Sequence, residues 1–496
     1  MLSFSELPAD WTVALRLRND LSVIVQDTGF VQIASVQESV RIGPLPPPLI
    51  QLIELLRSRT LNIAVAASPE TLGETLQKHG LRMECGLLGQ LPRFISQLAM
   101  QGALWATFKT GDGAAIEIVP LAFGRMPDTG QTDPLCLRKD SFLRAEGGLM
   151  ILEAPDGYAR IRSNHPILAQ VFARFAVADK RDTAAKEPTC AADKIPASDD
   201  DAVPALLNIL RRTGFLVSAT AKTAAQAEDG AHRWEFHDRL FHMRSRAGFH
   251  DAMVGPSFRF AKSEQPLPLY KPIDGRSFDA DIHIPLEPCD ALCQAPYPLQ
   301  KAFSERASRR VFADKPVSVD RLSALLYLSC RVRREHGKGD DAKSYETSNR
   351  PSPSGGGCHS LEVYLLVRRC DGLDPGVYHY DPKNHALNGV NAPHRVWQIM
   401  LTQTKYLNGS GRLPDVLMVI SSRFGRVNWK YQSMSYATVL KDAGALVQTL
   451  YLNCEQLRLS GTALGTGNIY HFQQLLGIPI TEESSVMEFI VGNRQD

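Results

Sequence analysis

Arg306, Ser308 and Arg310 alternate along one short stretch of the chain. In an extended backbone alternate residues share a side, so two guanidiniums and a hydroxyl face one way. That set suits charge-assisted bonds to a phosphate, although a basic surface strand would show the same pattern. Further on, Ser354 is followed by Gly355, Gly356 and Gly357, ahead of the strand-like LEVYLLV. Consecutive glycines let a backbone come close to a flat ligand. No Gly-Lys-Ser/Thr follows and the glycines precede a strand, so neither a P-loop nor a dinucleotide fingerprint is present; a plain flexible loop is the alternative. Adjacent Lys430 and Tyr431 could supply an acid/base pair tuned by burial. Gly465, Thr466 and Gly467 form a loop whose backbone N–H groups could bond a cofactor nitrogen, and Arg494 is a further candidate phosphate ligand.

Other reactive side chains point away from metal or disulfide chemistry. The nine cysteines are scattered and odd in number. Cys289 and Cys293 are the closest pair, but no second pair with zinc-site spacing accompanies them, so no metal and reduced thiols are expected. The stretch Trp234–Asp251 gathers His237, Asp238 and His242, which could be imagined as ligands. The favoured expectation is an interdomain helix whose polar residues bond each other or the next domain. The N-terminus lacks a basic stretch followed by an apolar one, and no apolar run approaches the ~18 residues of a membrane helix. A cytoplasmic protein that binds no membrane is therefore expected. Net charge is +2, from 55 Lys+Arg and 53 Asp+Glu, which argues against nucleic-acid binding driven by phosphates.

The 496 residues suggest about two to four domains. The first half reads as a diverged internal repeat. LRNDLSVIVQDTGFVQI (Leu17–Ile33) resembles LRAEGGLMILEAPDGYARI (Leu143–Ile161), each a hairpin turning at Asp27–Gly29 or Pro155–Gly157. Each is followed by an amphipathic helix, one facing inward with Leu49, Leu52, Ile53 and Leu56, the other with Ile167, Leu168, Val171 and Phe172. Each copy closes with a helix, a left-handed glycine (Gly102 or Gly214) and a strand, as the last helix and wing of a winged-helix unit would. Residues 178–204 read as a flexible insertion, and Pro266–Pro288 as an extended linker. The expected division is a first unit at 1–130, a second at 131–255, a linker at 256–294 and a catalytic domain at 295–496. Strand-like LEVYLLV, DVLMVIS and VMEFIVG, separated by helical runs, make that last domain α+β or α/β.

Taken jointly, the motifs carry a resemblance. R-x-S-x-R-x-F at Arg306–Phe312, PSGGG at Pro353–Gly357, LEVY at Leu361–Tyr364, PGVYHYDP at Pro375–Pro382, WKY at Trp429–Tyr431 and DAG at Asp442–Gly444 follow the order and spacing of nitroreductase-like flavoproteins. Within these, the chain resembles the SagB/ThcOx-type azoline dehydrogenases of ribosomal peptide natural-product biosynthesis. The resemblance implies an α+β fold: a C-terminal nitroreductase-like FMN domain, mainly antiparallel sheet flanked by helices, behind two winged-helix-like peptide-clamp domains. It also implies a homodimer with FMN at its interface. Arg306, Ser308 and Arg494 would hold the FMN phosphate and Arg310 would lie near the pyrimidine end of the ring. Ser354, Gly355 and Gly356 would line the flavin or its ribityl chain, and Gly465, Thr466 and Gly467 would approach the N5 edge.

The implied substrate is a thiazoline or oxazoline in a precursor peptide, its leader held by the N-terminal units, with a cyclodehydratase as a further partner. Lys430, paired with Tyr431, would remove the Cα proton while hydride passes to the flavin, which oxygen reoxidises. The alternatives are an NAD(P)H-dependent nitroreductase or quinone reductase and a non-catalytic peptide scaffold. After PSGGG the chain reads Cys358-His359-Ser360, where an aromatic residue and a proline are more usual in the family. His359 is a second candidate base, with a structural loop histidine the favoured expectation. Cys358 could be redox-active, with a small filler residue the favoured one.

Overall fold

The computed structural model describes residues 7–35, 39–64, 67–110, 113–123, 135–178, 202–218, 233–246, 249–250 and 255–495. Most of the flexible insertion expected at 178–204 lies outside them. The chain forms two compact units, Met1–Val254 and Gly255–Asp496.

The first unit is organised by a seven-stranded antiparallel sheet. Its order is Leu61–Ala64, Thr12–Leu17, Leu104–Lys109, Ala115–Pro120, Ala159–Ser163, Leu149–Glu153, Phe142–Glu146. The helix Pro47–Ser58 buries Leu49, Leu52, Ile53 and Leu56, the apolar face read from its spacing. In the helix Ile167–Ala178, Ile167, Leu168, Val171 and Phe175 are buried, while Phe172 is only partly so. One continuous core joins residues of both copies.

The repeat is visible in the pairing, displaced by one strand from the alignment read in the sequence. In the first copy Thr12–Leu17 pairs with Leu104–Lys109, the strand after the last helix. In the second, Leu135–Leu137 pairs with Leu216–Ser218 in the same way. Arg18 follows the first of these strands, and its N–H donates to Ala103 O at 3.0 Å. Arg138 follows the second, and its N–H donates to Phe215 O at 2.7 Å. Both guanidiniums reach the carbonyl of the left-handed glycine, Arg18 to Gly102 at 3.5 Å and Arg138 to Gly214 at 3.4 Å. The true match of Leu17-Arg18 is therefore Leu137-Arg138, not Leu143-Arg144. The hairpin Ser22–Val25/Val31–Ala34 corresponds to Phe142–Glu146/Leu149–Glu153. The PDG turn read as its equivalent belongs to the next hairpin, Leu149–Glu153/Ala159–Ser163.

The helix Phe236–Ser245 within Trp234–Asp251 works through its arginines. Arg239 bridges Asp140 and Asp156, each at 2.9 Å. Arg244 donates to the carbonyls of Ala154 and Pro155 at 2.8 and 2.7 Å. These contacts hold the helix against the hairpin turn. Among the described residues no group of three His, Cys, Asp or Glu is placed to hold a metal ion.

The second unit has its own seven-stranded antiparallel sheet. The order is Phe278–Pro285, Ala386–Val390, Gly376–Asp381, Leu361–Val367, Val416–Arg423, Glu483–Asn493, Leu459–Leu464. Strand alternation sends Val363, Leu365 and Val367 into one core and Tyr364 and Leu366 into another. The first core packs against Val319–Cys330 and the long helix Ser435–Gln456, the second against His394–Leu407 and Ile469–Leu476. Both faces are covered, so the central strands bury apolar residues on both sides, with polar side chains such as Glu362 and Glu483 buried among them. The stretch read as a linker is built into this unit. Phe278–Pro285 is its edge strand, and the Lys271 ammonium is buried against the Glu483 carboxylate. Among the described residues no helix is long and apolar enough to cross a membrane.

Candidate active site

The predicted site residues fall into two groups linked by the long helix Ser435–Gln456. The first group surrounds the glycine turn. Gly355–Gly357 form a single tight turn in which Gly356 and Gly357 have φ of 63° and 68°, the left-handed region that a side chain disfavours. The Asp442 carboxylate pins the turn, accepting from Ser354 Oγ at 2.6 Å and Gly355 N at 3.0 Å. Burial raises the Asp442 pKa above the usual carboxylate range, against those two bonds. Asp442→Ala would leave the Gly355 N–H and Ser354 O–H without their acceptor. The expected cost is about 1–3 kcal/mol, measured as a lower urea midpoint at unchanged slope.

Lys430 ends the helix Phe424–Lys430, and its Nζ lies against this turn. It bonds Tyr345 Oη and the Gly356 carbonyl, the latter at 3.2 Å. A Cβ on Gly356 would run into Lys430 Nζ and the Tyr431 hydroxyl, so only glycine lets the turn approach them so closely. Burial lowers the Lys430 pKa, and Cys358 partly opposes the shift. Burial also raises the Tyr431 pKa. Nζ donates to the hydroxyl of Tyr345 rather than to that of Tyr431, its expected partner. Tyr345 gave no sequence signal, because it lies 85 residues away from Lys430 in no recognisable motif.

A strap of residues 256–270 holds the helix that carries Lys430. Ser257 N and Phe258 N both donate to Lys430 O, at 2.9 and 3.1 Å. Trp429 Nε1 donates to Glu264 O at 3.1 Å. The buried Arg426 guanidinium reaches Leu267 O, Cys358 O and Glu346 O at 2.6, 2.6 and 2.8 Å, joining strap, glycine turn and the Tyr345 segment. Cys358 is fully buried and burial raises its pKa, the behaviour of a filler rather than a reactive thiolate. His359 is buried, its pKa pushed down to about 3 by burial and Arg350, which keeps it uncharged at neutral pH. Beside the turn opens a cavity of about 500 Å³ lined by Arg333, His336, Arg350, Ser354 and Gly356 among others, with no carboxylate.

The second group lies at the other end of the long helix. Tyr451 is its centre: its hydroxyl meets Ser308 Oγ at 3.0 Å and accepts from Ala463 N at 2.8 Å, and Arg306 lies over its ring at 5.3 Å. Buried Glu455 pairs with Arg309 and, at 3.1 Å, with Arg494. Arg310 is exposed. The backbone beyond Ala463 leads into Gly465, Thr466 and Gly467, which are exposed. Asn468 closes that loop by accepting from Tyr470 N and His471 N, each at 3.0 Å. A Cβ on Gly467 would overlap the Glu488 carboxylate. Glu488 is buried, and burial pushes its pKa up to about 7. Tyr451, Glu455 and Glu488 are the members of this group that the motifs did not reveal. Asp442 and Tyr451 are nine residues apart on one helix, about 14 Å by its rise. In a single chain the structure therefore does not bring Ser354, Gly356, Lys430 and Tyr431 together with Arg306, Ser308 and Arg494.

Comparison with known families settles what this sheet-and-helix unit is. Residues 303–493 match the model of the nitroreductase family. They are a nitroreductase domain. Ahead of it, residues 135–251 match the model of the cyanobactin oxidase ThcOx. The nitroreductase domain makes the chain an oxidoreductase. A putative nitroreductase of Methanocaldococcus jannaschii is 23% identical over 180 residues, which cover 36% of this chain and 84% of that protein. A putative nitroreductase from Ralstonia eutropha JMP134 aligns in structure at 20% identity and a TM-score of 0.34, covering 47% of this chain and 98% of the other. The Escherichia coli microcin synthetase McbBCD complex, with truncated pro-MccB17 bound, contains a chain similar at 19% identity and a TM-score of 0.32. That match covers 49% of this chain and 84% of the other.

Proposed function

We propose that this protein is an FMN-dependent dehydrogenase that oxidises thiazoline or oxazoline rings in a ribosomally made peptide. The observation that carries the reading is a half-buried amine of lowered pKa, Lys430, against the glycine turn of a nitroreductase domain whose preceding residues match the cyanobactin oxidase ThcOx. The residues present fit FMN. Arg306, Ser308 and Arg494 would hold its phosphate, with Tyr451 and Glu455 ordering them. Arg310 would sit near the pyrimidine end, and the backbone of the glycine turns at Gly355–Gly356 and Gly465–Gly467 would line the flat ring. Because the two groups lie at opposite ends of one helix, two copies of the chain are proposed to complete each site.

FMN, when bound, supplies the two-electron acceptor for the reaction. Lys430 removes the Cα proton of the ring, for which its amine must be neutral, and burial favours the neutral form. The Gly356 carbonyl and Tyr345 keep the amine from swinging away. The strap and Arg426 fix the backbone from which that side chain extends. The N-terminal units, proposed as winged-helix-like clamps, would grip the leader of the precursor peptide by adding a strand to a sheet edge, in company with a cyclodehydratase. Oxygen is the proposed final acceptor.

The test is direct. Purified protein should be yellow and should lower the mass of an azoline-bearing precursor by roughly 2 Da per ring, the loss of a hydride and a proton. Rapid bleaching by NADPH with no peptide binding would instead mark a small-molecule reductase. A colourless protein that FMN cannot reconstitute would mark a scaffold.

A further inference from the structure

We propose that Tyr345 is a positioning residue for Lys430, holding its amine through a hydrogen bond anchored on the Gly356 carbonyl. This deepens the reading of Lys430 as the base and rests on it. Three atoms bond one another, Lys430 Nζ, Tyr345 Oη and Gly356 O, and the Cys358 thiol is also hydrogen-bonded to Tyr345. A carbonyl can only accept, so the phenol spends its proton on Gly356 O and turns its lone pairs to the amine. Lys430 then donates one N–H to Tyr345 and one to Gly356. With two directions committed, the direction left for taking up a proton is fixed as well.

The packing makes this arrangement stiff. The Tyr345 ring stands edge-on to Trp429, with centroids 5.7 Å apart. The next carbonyl along, Glu346 O, is held by Arg426, and the same guanidinium holds Cys358 O beyond the glycine turn. One buried cation thus sets the spacing between Tyr345 and Gly356. The rings of Tyr345, Tyr431 and Phe258 lie 4.9, 5.3 and 6.0 Å from Nζ. Of these, only Tyr345 gives Nζ a hydroxyl bond among the described residues. The titratable and charged groups around the amine are Cys358, Tyr345 and Tyr431, with Arg426 and Asp442 beyond them.

An acceptor strengthens more for an ammonium than for an amine, so losing it weakens proton binding at Lys430. The test uses the full chain, with and without FMN. The Lys430 amine is titrated by competitive labelling with acetic anhydride, read by peptide mass spectrometry. Tyr345→Phe keeps the ring against Trp429 and is expected to lower the proton affinity of Lys430 roughly tenfold, one pH unit in midpoint. Tyr431→Phe is expected to move it much less. In protein that keeps Tyr345 and is labelled with 13C-tyrosine, Lys430→Met should shift the Tyr345 ring signals, a readout that stands if Tyr345→Phe fails to fold. An unmoved Lys430 midpoint, an equal shift from Tyr431→Phe, or Tyr345 signals indifferent to Lys430→Met would each overturn the proposal. The titration needs no turnover, so it separates from the functional reading. Full turnover by Lys430→Met would sink the base assignment, while a missing shift would sink the role of Tyr345 alone.

Discussion

Lys430→Met is expected to cut ring oxidation by about 10²–10⁴-fold, the usual worth of a positioned general base, while leaving bound flavin in place. Methionine keeps much of the length and apolar stem, so the strap over the helix Phe424–Lys430 retains its packing. Only the amine and its bonds to Tyr345 and Gly356 are removed. The pH profile carries the second half of the expectation. The base is competent when neutral, so the rate should rise as pH rises through the Lys430 pKa. Burial places that limb below the ordinary lysine value of about 10.4. The variant should lose this limb. Single-turnover reduction of the flavin by an azoline peptide, followed across pH, measures both. A variant with wild-type rates and an unchanged limb would remove Lys430 from the chemistry.

Lys271→Met is expected to destabilise the second unit by about 3–5 kcal/mol, the range for stranding one partner of a buried ion pair. The Lys271 ammonium and Glu483 carboxylate are 8% and 3% exposed. Glu483 also accepts from Tyr364 Oη at 2.9 Å and Ser421 Oγ at 2.7 Å, so it anchors three separate segments. Without the lysine its charge stays buried with only two hydroxyls to stabilise it. The double variant Lys271→Met/Glu483→Gln should recover much of the loss, because no uncompensated charge remains. Urea denaturation of Lys271→Met, Glu483→Gln, the double variant and the parent gives the coupling directly. Equal stability of parent and Lys271→Met would show that the segment before Phe278 is not anchored by this pair.

What could be read from sequence followed what is local. The strand Leu361–Val367, the helix face of Leu49, Leu52, Ile53 and Leu56, and the two left-handed glycines Gly102 and Gly214 are set by short-range pattern and backbone sterics. The nitroreductase motifs were equally visible, because each is a short run of special residues. The rest is non-local. Tyr345, Arg426, Tyr451 and Glu488 acquire meaning only from partners brought in by folding. The stretch around Lys271 read as a linker because it is rich in proline. Proline suits an edge strand and a strap as well as a free linker. The repeat slipped by one strand for a related reason. Turn signals at Asp27–Gly29 and Pro155–Gly157 are strong but generic. The true register is set by strands 87 or more residues apart in the first copy, where Leu17 faces Leu104.

The seam between the two copies of the first unit runs through a hydrogen-bond ladder. Ala115–Pro120 of one copy pairs with Ala159–Ser163 of the other, from Ile116 opposite Ser163 to Pro120 opposite Ala159. The two halves of the first unit are therefore not independent modules that can be cut apart. A chain truncated near residue 130 would leave Ala115–Pro120 as an open strand edge. The two halves should melt in one cooperative step and resist proteolysis at the seam.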